Sequence, residues 1–262
     1  MKILNPHVNL ENFFSQLTIG TQPALLLDYD GTLAPFHKER DLAFPYPGIS
    51  DILNRIIKAR HSRVVLISGR WIRDLIPLLG LEELPEIWGT HGIERLKPDG
   101  SYDVIKLADL TSELLTLVEK WAIENGLKDA CELKPGALAI HWRGKPEVQK
   151  EEIRKKVMTE WTDRAQEAGL SPVEFDGGIE FRVPGWNKGD AVKSILLEMN
   201  HDTVAAYLGD DLTDEDAFRA MNNRGLAVLV RTELRNTAAD LWLKPPHELL
   251  DFLWRWHKTV DV

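Results

Sequence analysis

Cysteine is almost missing from this chain: Cys131 stands alone among 262 residues. That excludes an intrachain disulfide and any cysteine-rich zinc site, and with no activating partner in view a thiol that is buried or carried on a strand of the inserted region is expected. No apolar run approaches the roughly 20 residues that a membrane helix needs. Nor does a basic segment followed by a long apolar stretch open the sequence, so no signal peptide is evident and a cytoplasmic location is expected. Positive charge is in deficit, with 32 Lys and Arg against 41 Asp and Glu and a formal net charge of −9. Such a balance argues against a nucleic-acid partner, which needs a basic face. It leaves a phosphorylated small molecule open, because a few local cations and a metal reverse the field in one cleft. Internal repeats and low-complexity segments are missing too. What remains is ordinary for a globular chain, 44% hydrophobic and 28% charged, and long enough for one large or two modest domains.

The stretch that organises the rest is Leu25–Leu33, LLLDYDGTL. Three leucines after Ala24 read as a strand buried on both faces of a parallel sheet. Asp28 and Asp30 then stand at its carboxyl end, where open α/β sheets place their ligands. Two acids flanking Tyr29 repel each other unless a cation is shared. A hard divalent ion with oxygen ligands, Mg²⁺ foremost, removes that cost. The alternative is a plain acidic turn, since Asp and Gly are common after strands.

Along the chain, short apolar strands alternate with amphipathic helices: a helix over Leu10–Leu17, the opening strand, a helix over Ile49–Arg60, and a strand at Val64–Ile67. A helix-like stretch at Trp71–Leu79, broken near Pro77, then precedes a strand at Glu86–Trp88. This is the grammar of a parallel sheet with βαβ crossovers. It changes near Leu96. The turn Lys97-Pro98-Asp99-Gly100 joins a hairpin, and helices over Leu110–Asn125 and Pro146–Ala168 alternate with strand pairs around Pro135-Gly136 and Gly177-Gly178. Residues 97–183 are therefore expected to form an inserted α+β domain, with 1–96 and 184–262 forming the core. The first grammar returns with a helix over Asn187–Met199, strands at Val204–Leu208 and Leu226–Val230, and helices over Asp214–Met221 and Leu249–Trp256.

Strand ends in the core carry polar motifs that fit one reaction. Asp28 and Asp30 follow the first strand, Ser68 the second, and Asp210 with Asp211 a later one, while Lys188 opens the helix before that later strand. Carboxylates converging on a cation, a lysine and a hydroxyl are what a phosphoryl group requires at one point. Each residue also has a plainer role. Ser68 suits a helix N-cap, Lys188 a surface position in a first turn, and Asp211, Asp214 and Glu215 the acids favoured at a helix N-terminus.

In order, D-Y-D-G-T-L, S-G-R, N-K-G-D and G-D-D-L-T-D-E-D resemble the four motifs of the haloacid-dehalogenase (HAD) phosphatase superfamily. The resemblance implies an α/β fold, a Rossmann-like parallel sheet core with an inserted α+β cap. It implies Asp28 as nucleophile on phosphorus and Asp30 as the acid that protonates the leaving alcohol and then the base that activates water. Ser68 would bond the phosphoryl oxygens and Lys188 would offset charge. Mg²⁺ would be held by Asp28, the Asp30 carbonyl and Asp210, with Asp211 and Asp214 orienting that set.

A narrower likeness concerns substrate. L-D-Y-D-G-T-L-A-P, I-S-G-R, G-T-H-G-I-E and G-D-D-L-T-D-E-D-A-F are similar to trehalose-6-phosphate phosphatases. So are E-L-K, H-W-R and E-F-R in the inserted region, which makes Glu132, Lys134, His141, Arg143, Glu180 and Arg182 candidate sugar contacts. Strand alternation puts each of these pairs on one face, although cross-strand ion pairs on a solvated sheet would look the same. Arg70, His91 and Glu94, on core loops, are candidates to position the substrate. Val183, where members often carry proline, leaves the sugar open among trehalose, sucrose, glucosylglycerate and mannosylglycerate phosphates. A phosphomutase and a receiver-like phosphotransfer module share the nucleophile and are the remaining alternatives.

Overall fold

The computed structural model describes residues 1–17, 22–106, 109–142, 144–167, 169–175, 177–183, 185–221 and 224–261. In chain order the elements are β1 (Lys2–Ile3), α1 (Leu10–Gln16), β2 (Ala24–Leu27), α2 (Ile49–Ala59), β3 (Arg63–Ile67), α3 (Ile72–Leu79), β4 (Glu86–Gly89), β5 (Glu94–Leu96) and β6 (Tyr102–Val104). Then come α4 (Asp109–Glu124), β7 (Cys131–Lys134), β8 (Ala137–His141), α5 (Glu147–Glu167), β9 (Ser171–Phe175) and β10 (Gly178–Arg182). The chain closes with α6 (Lys188–Leu197), β11 (Ala205–Gly209), α7 (Glu215–Met221), β12 (Gly225–Val230), β13 (Leu241–Leu243) and α8 (His247–Val260). The chain divides into two compact units, one of Met1–Asp103 with Trp186–Val262, the other of Val104–Gly185.

The first unit is built on a nine-stranded sheet in the order β1-β13-β12-β11-β2-β3-β4-β5-β6. Neighbours from β13 through β4 run parallel, while β1 and β5 pair antiparallel to them. Its central strand is the opening stretch. Leu25 and Leu27 face one apolar cluster with Ile52, Leu75 and Trp256, and Ala24 and Leu26 face another with Val192, Ile195 and Phe218. Burial on both faces explains why β2 has no polar alternation. Chain order runs outward from β2 through β3 and β4 on one side and from β11 through β12 and β13 on the other. The switch point therefore lies between β2 and β11, and their carboxyl ends bear Asp28 and Asp210.

The second unit carries a four-stranded antiparallel sheet, β7-β8-β10-β9. One face packs Leu138, Ile140, Ile179 and Phe181 against Val118 of α4 and Val157 and Trp161 of α5. Register places Glu132 and Glu180 opposite Ala139, and Lys134 and Arg182 opposite Ala137, so the other face is charged around a small-residue strand.

Three features depart from the sequence expectations. The helix near Pro77 is not broken: α3 runs through it. Pro77 removes the bond to the Arg73 carbonyl, but both residues are exposed, which leaves that acceptor open to solvent. The hairpin after Glu94 extends the large sheet instead of opening the insertion, and the second unit begins at Val104. Finally, β1 and β13, two and three residues long, carry no periodic signal and form the sheet edge opposite β6. No helix among the described residues is long and apolar enough to cross a membrane.

Candidate active site

Directly after β2 the chain turns back on itself. The Leu33 and Ala34 amides both donate to the Tyr29 carbonyl, and the buried Tyr29 hydroxyl donates to the Ala43 carbonyl at 2.7 Å. Gly31, at φ +83°, makes the turn, and a Cβ there would sit 2.1 Å from Asp210 Oδ2. Only glycine leaves room for that carboxylate.

Asp28 is buried, 2% exposed, and each of its oxygens has a donor. Lys188 Nζ donates to Oδ1 at 2.6 Å, and Thr32 Oγ1 donates to Oδ2 at 2.9 Å. Lys188 is the first residue of α6, entered through Asn187, whose side chain accepts from the Asp190 amide in a capping box. The ammonium is shared: it also donates to Asp214 Oδ1 at 2.7 Å. Asp214 is saturated, because Tyr207 Oη donates to the same oxygen at 2.5 Å and the Asp210 and Asp211 amides donate to Oδ2 at 3.0 and 2.9 Å. Asp210 is the opposite case. Its Oδ1 is buried and has no hydrogen-bond partner among the described residues.

Three carboxylates thus meet around one ammonium, with ligand oxygens of Asp28, Asp210 and Asp214 within 4.8 Å of one another. Their pKa directions follow from who holds the donors. Burial first, then the Asp28 charge, lifts Asp210 well above the usual carboxylate range. Burial also pushes Asp28 up to about 7, outweighing the attraction of Lys188. Asp214 stays below its ordinary value because Lys188 and its other donors overcome its burial. Burial acts to lower Lys188, but Asp214 and Asp28 together outweigh it and raise it. Net negative charge held in a dry site is what a hard divalent cation corrects, and oxygen-only donors with an orphaned Asp210 Oδ1 fit such an ion. The saturated Asp214 fits a supporting role beside Asp28 and Asp210.

Asp30 points elsewhere. Its carboxylate receives a two-pronged bond from Arg70, Nε to Oδ2 and Nη2 to Oδ1, both at 2.7 Å, and Arg70 Nη1 also donates to the Arg40 carbonyl at 2.9 Å. Arg70, expected among the substrate contacts, is thus a partner of Asp30. Ser68 is 1% exposed and its Oγ accepts from the Arg70 amide at 3.1 Å. It does not cap α3, whose N-cap is Trp71. His91 sits in the left-handed region at φ 57°. Its amide donates to the Ser68 carbonyl at 2.9 Å, and its ring lies so close to Gly69 that a Cβ there would meet it at 2.6 Å. Glu94, fully buried, ties this loop down: it accepts from Thr90 Oγ1 at 3.0 Å, the Ile72 amide at 2.8 Å and Tyr102 Oη at 2.7 Å.

In the second unit, Lys134 Nζ pairs with Glu180 at 2.5 Å and His141 Nε2 with Glu132 at 2.8 Å. Arg182 shares their face. Arg143 lies outside the described residues.

Thr32 and Tyr207 were not singled out from the sequence. Thr32 belongs to the D-G-T turn itself. Tyr207, a hydroxyl in the apolar run AAYLG, is a signal in retrospect, because a buried Tyr needs an acceptor.

The family model described as trehalose-phosphatase matches residues 26–244. The chain belongs to that family. A Mycobacterium leprae protein named trehalose-phosphate phosphatase is 30% identical over 257 residues, covering 88% of this chain and 56% of its own length. Trehalose-phosphate phosphatase B of Arabidopsis thaliana is 29% identical over 260 residues, covering 90% of this chain and 66% of that protein. The chain therefore spans between half and two thirds of these relatives. Among solved structures, the C-terminal domain of the C. albicans trehalose-6-phosphate phosphatase superposes with a TM-score of 0.80 at 23% identity, covering 98% of this chain and 99% of that one. A haloacid dehalogenase-like hydrolase from Bacteroides thetaiotaomicron gives 0.67 at 17% identity, covering 89% and 99%. These likenesses establish the HAD-type α/β fold.

Proposed function

We propose that this chain is a phosphatase that hydrolyses trehalose 6-phosphate to trehalose and inorganic phosphate through an aspartyl-phosphate. One observation carries the reading: a buried Asp28, gripped by Lys188 and Thr32, stands beside Asp210 at the sheet's switch point in a chain of the trehalose-phosphatase family. Asp28 attacks phosphorus, the bond from phosphorus to the sugar oxygen breaks, and Asp30 gives its proton to that leaving oxygen. In the second half-reaction Asp30 takes a proton from water as the water attacks the phosphoryl group, and Asp28 is released. Asp30 can carry that proton only once its carboxylate has left the two-pronged bond to Arg70, so substrate binding has to break that pair. The Lys188 ammonium keeps Asp28 oriented and offsets charge on the phosphoryl oxygens, to which Ser68 donates its hydroxyl hydrogen.

Mg²⁺ is the cation proposed, held by the Asp28 carboxylate, the Asp30 carbonyl and Asp210. When bound it supplies positive charge against the transferring phosphoryl group. Glu132, Lys134, His141, Arg143, Glu180 and Arg182 are the proposed sugar contacts.

Phosphate release is the direct test, measured with trehalose, sucrose, glucosylglycerate and mannosylglycerate phosphates in the presence and absence of Mg²⁺. The expected result is turnover of trehalose 6-phosphate above the others, dependent on Mg²⁺, with free sugar as product. Release from another member of the panel instead would reassign the sugar. No release from any of them by folded protein would remove the enzyme reading.

A further inference from the structure

Between β12 and β13 the chain carries two arginines that the four motifs leave unused. Arg235 lies along the Asp210–Asp211 turn. Its Nε and Nη2 donate to the Asp210 carbonyl at 3.3 Å each, and Nη2 donates to the Asp211 carbonyl at 2.7 Å. Its Nη1 pairs with Glu215 and donates to the Asn236 carbonyl at 2.9 Å. Glu215, in the first turn of α7, also accepts the Ala238 amide at 2.8 Å, so the loop and the acidic turn are bound as one piece. Arg231 is placed differently. Its side chain is 40% exposed, its bond to the Asp210 carbonyl is long at 3.4 Å, and its Nη1 stands 4.0 Å from Asp210 Oδ2. Among the described residues Asp210 is its one carboxylate at ion-pair distance.

We infer that these arginines tune the Asp210 cation site in opposite senses: Arg235 is a positioning residue that holds Asp210 ready for a divalent cation, and Arg231 competes with that cation for the same carboxylate. The inference rests on the cation site proposed above. Arg235 binds peptide carbonyls, which leaves both carboxylate oxygens of Asp210 to other partners and fixes the backbone from which that side chain projects. Its charge is offset by Glu215, so it adds little repulsion toward a neighbouring cation. Groups of this kind, which orient a ligand without touching the metal, change affinity by about 10- to 100-fold when removed. Arg231 has no such offset. It gives partial neutralisation to Asp210 that a cation has to displace, and its exposure lets it swing into water once displaced.

The experiment is Mg²⁺ and Mn²⁺ binding by calorimetry on the wild type, Arg235→Gln, Arg235→Lys and Arg231→Gln, with a thermal melt of each. Arg235→Gln is expected to weaken binding by about 10-fold or more. Arg235→Lys keeps the charge and the fold but lacks the planar fork, and is expected to weaken it by about threefold or more, which decides the case if the glutamine variant does not fold. Arg231→Gln is expected to tighten binding by about two- to fivefold at low ionic strength, with the gain shrinking as salt is added. Wild-type protein that binds neither ion overturns the cation reading itself. Wild-type binding that Arg235→Lys and Arg235→Gln leave unchanged, even with lower melting temperatures, overturns the inference alone by marking Arg235 as merely structural. Weaker binding in Arg231→Gln overturns the opposition between the two.

Discussion

The two units handle buried charge in opposite ways. At the carboxyl ends of β2 and β11, Asp28, Asp210 and Asp214 face a single ammonium, and Asp210 Oδ1 is left with no hydrogen-bond partner among the described residues. On the four-stranded sheet each acid meets a base, Glu180 with Lys134 and Glu132 with His141. A deficit of positive charge in a dry site is costly by itself; proton uptake by the raised carboxylates relieves it, and so would a divalent cation with a charged reactant. A balanced face costs less, and offers donors and acceptors in equal measure to a neutral polyhydroxylated ligand. This contrast suits the division proposed above, with phosphoryl chemistry in the first unit and sugar contacts in the second.

The largest expected effect breaks the deficit. Asp28→Asn removes the proposed nucleophile, so steady-state phosphate release should fall by about 10⁴-fold or more. The same change deletes a buried charge whose pKa burial has already raised, so the metal-free protein should melt higher than wild type. A variant that is inactive yet melts lower would contradict the charge account while leaving the nucleophile assignment standing.

Breaking the balance comes next. Lys134→Met leaves Glu180, 4% exposed, without its ammonium, and removing one member of a buried pair costs about 3–5 kcal/mol. Adding Glu180→Leu should restore most of that stability in a denaturant titration, since the pair and an apolar replacement are close in free energy. If the pair serves the sugar, the double variant stays stable but its KM for trehalose 6-phosphate rises, with turnover of a small aryl phosphate unchanged. Equal loss on both substrates would erase the distinction between the units.

A third test adds the missing charge. Mg²⁺ at 100 times its Kd should stabilise the fold by about 2.7 kcal/mol. Asp210→Asn should abolish that gain in a thermal melt, and Lys134→Met should leave it intact.

Much of this contrast was legible in the sequence, for a physical reason. A strand buried on both faces must be apolar throughout, so β2 announces itself and the acids that end it stand out. The pairs Glu132 and Lys134, and Glu180 and Arg182, follow from period-two alternation, and the register confirms their shared face. What stayed hidden depends on long side chains crossing between elements. Arg70 reaches back 40 residues to Asp30, and Arg235 reaches 25 residues back to the Asp210 carbonyl. Neither distance leaves a mark on local spacing. The edge strands β1 and β13 are too short for any period to register. The hairpin after Glu94 read as the start of an insertion because a turn signal carries no information about which sheet its strands join.

The last test concerns pH, and its sign is the reverse of the usual carboxylate. Asp28 is raised to about 7 and Asp210 is raised as well, both chiefly by burial. Between the unfolded carboxylate value near 4 and about pH 7 the folded chain therefore binds more protons than the unfolded one. Stability of the metal-free protein should then fall as pH rises through that window, by at most about 1.4 kcal/mol per pH unit for each such group. Asp214, held low by Lys188, contributes the opposite slope, but only below the window. A divalent cation needs these carboxylates ionised, so its affinity should rise over the same range and release protons on binding. Thermal melts from pH 5 to about 7.5 with and without Mg²⁺ separate the two. Without the ion the melting temperature should decline with pH, and with saturating ion the slope should flatten or turn upward. A metal-free protein that grows more stable across that range would mean that Lys188 alone compensates Asp28, and the deficit that separates this site from the balanced sheet would be gone.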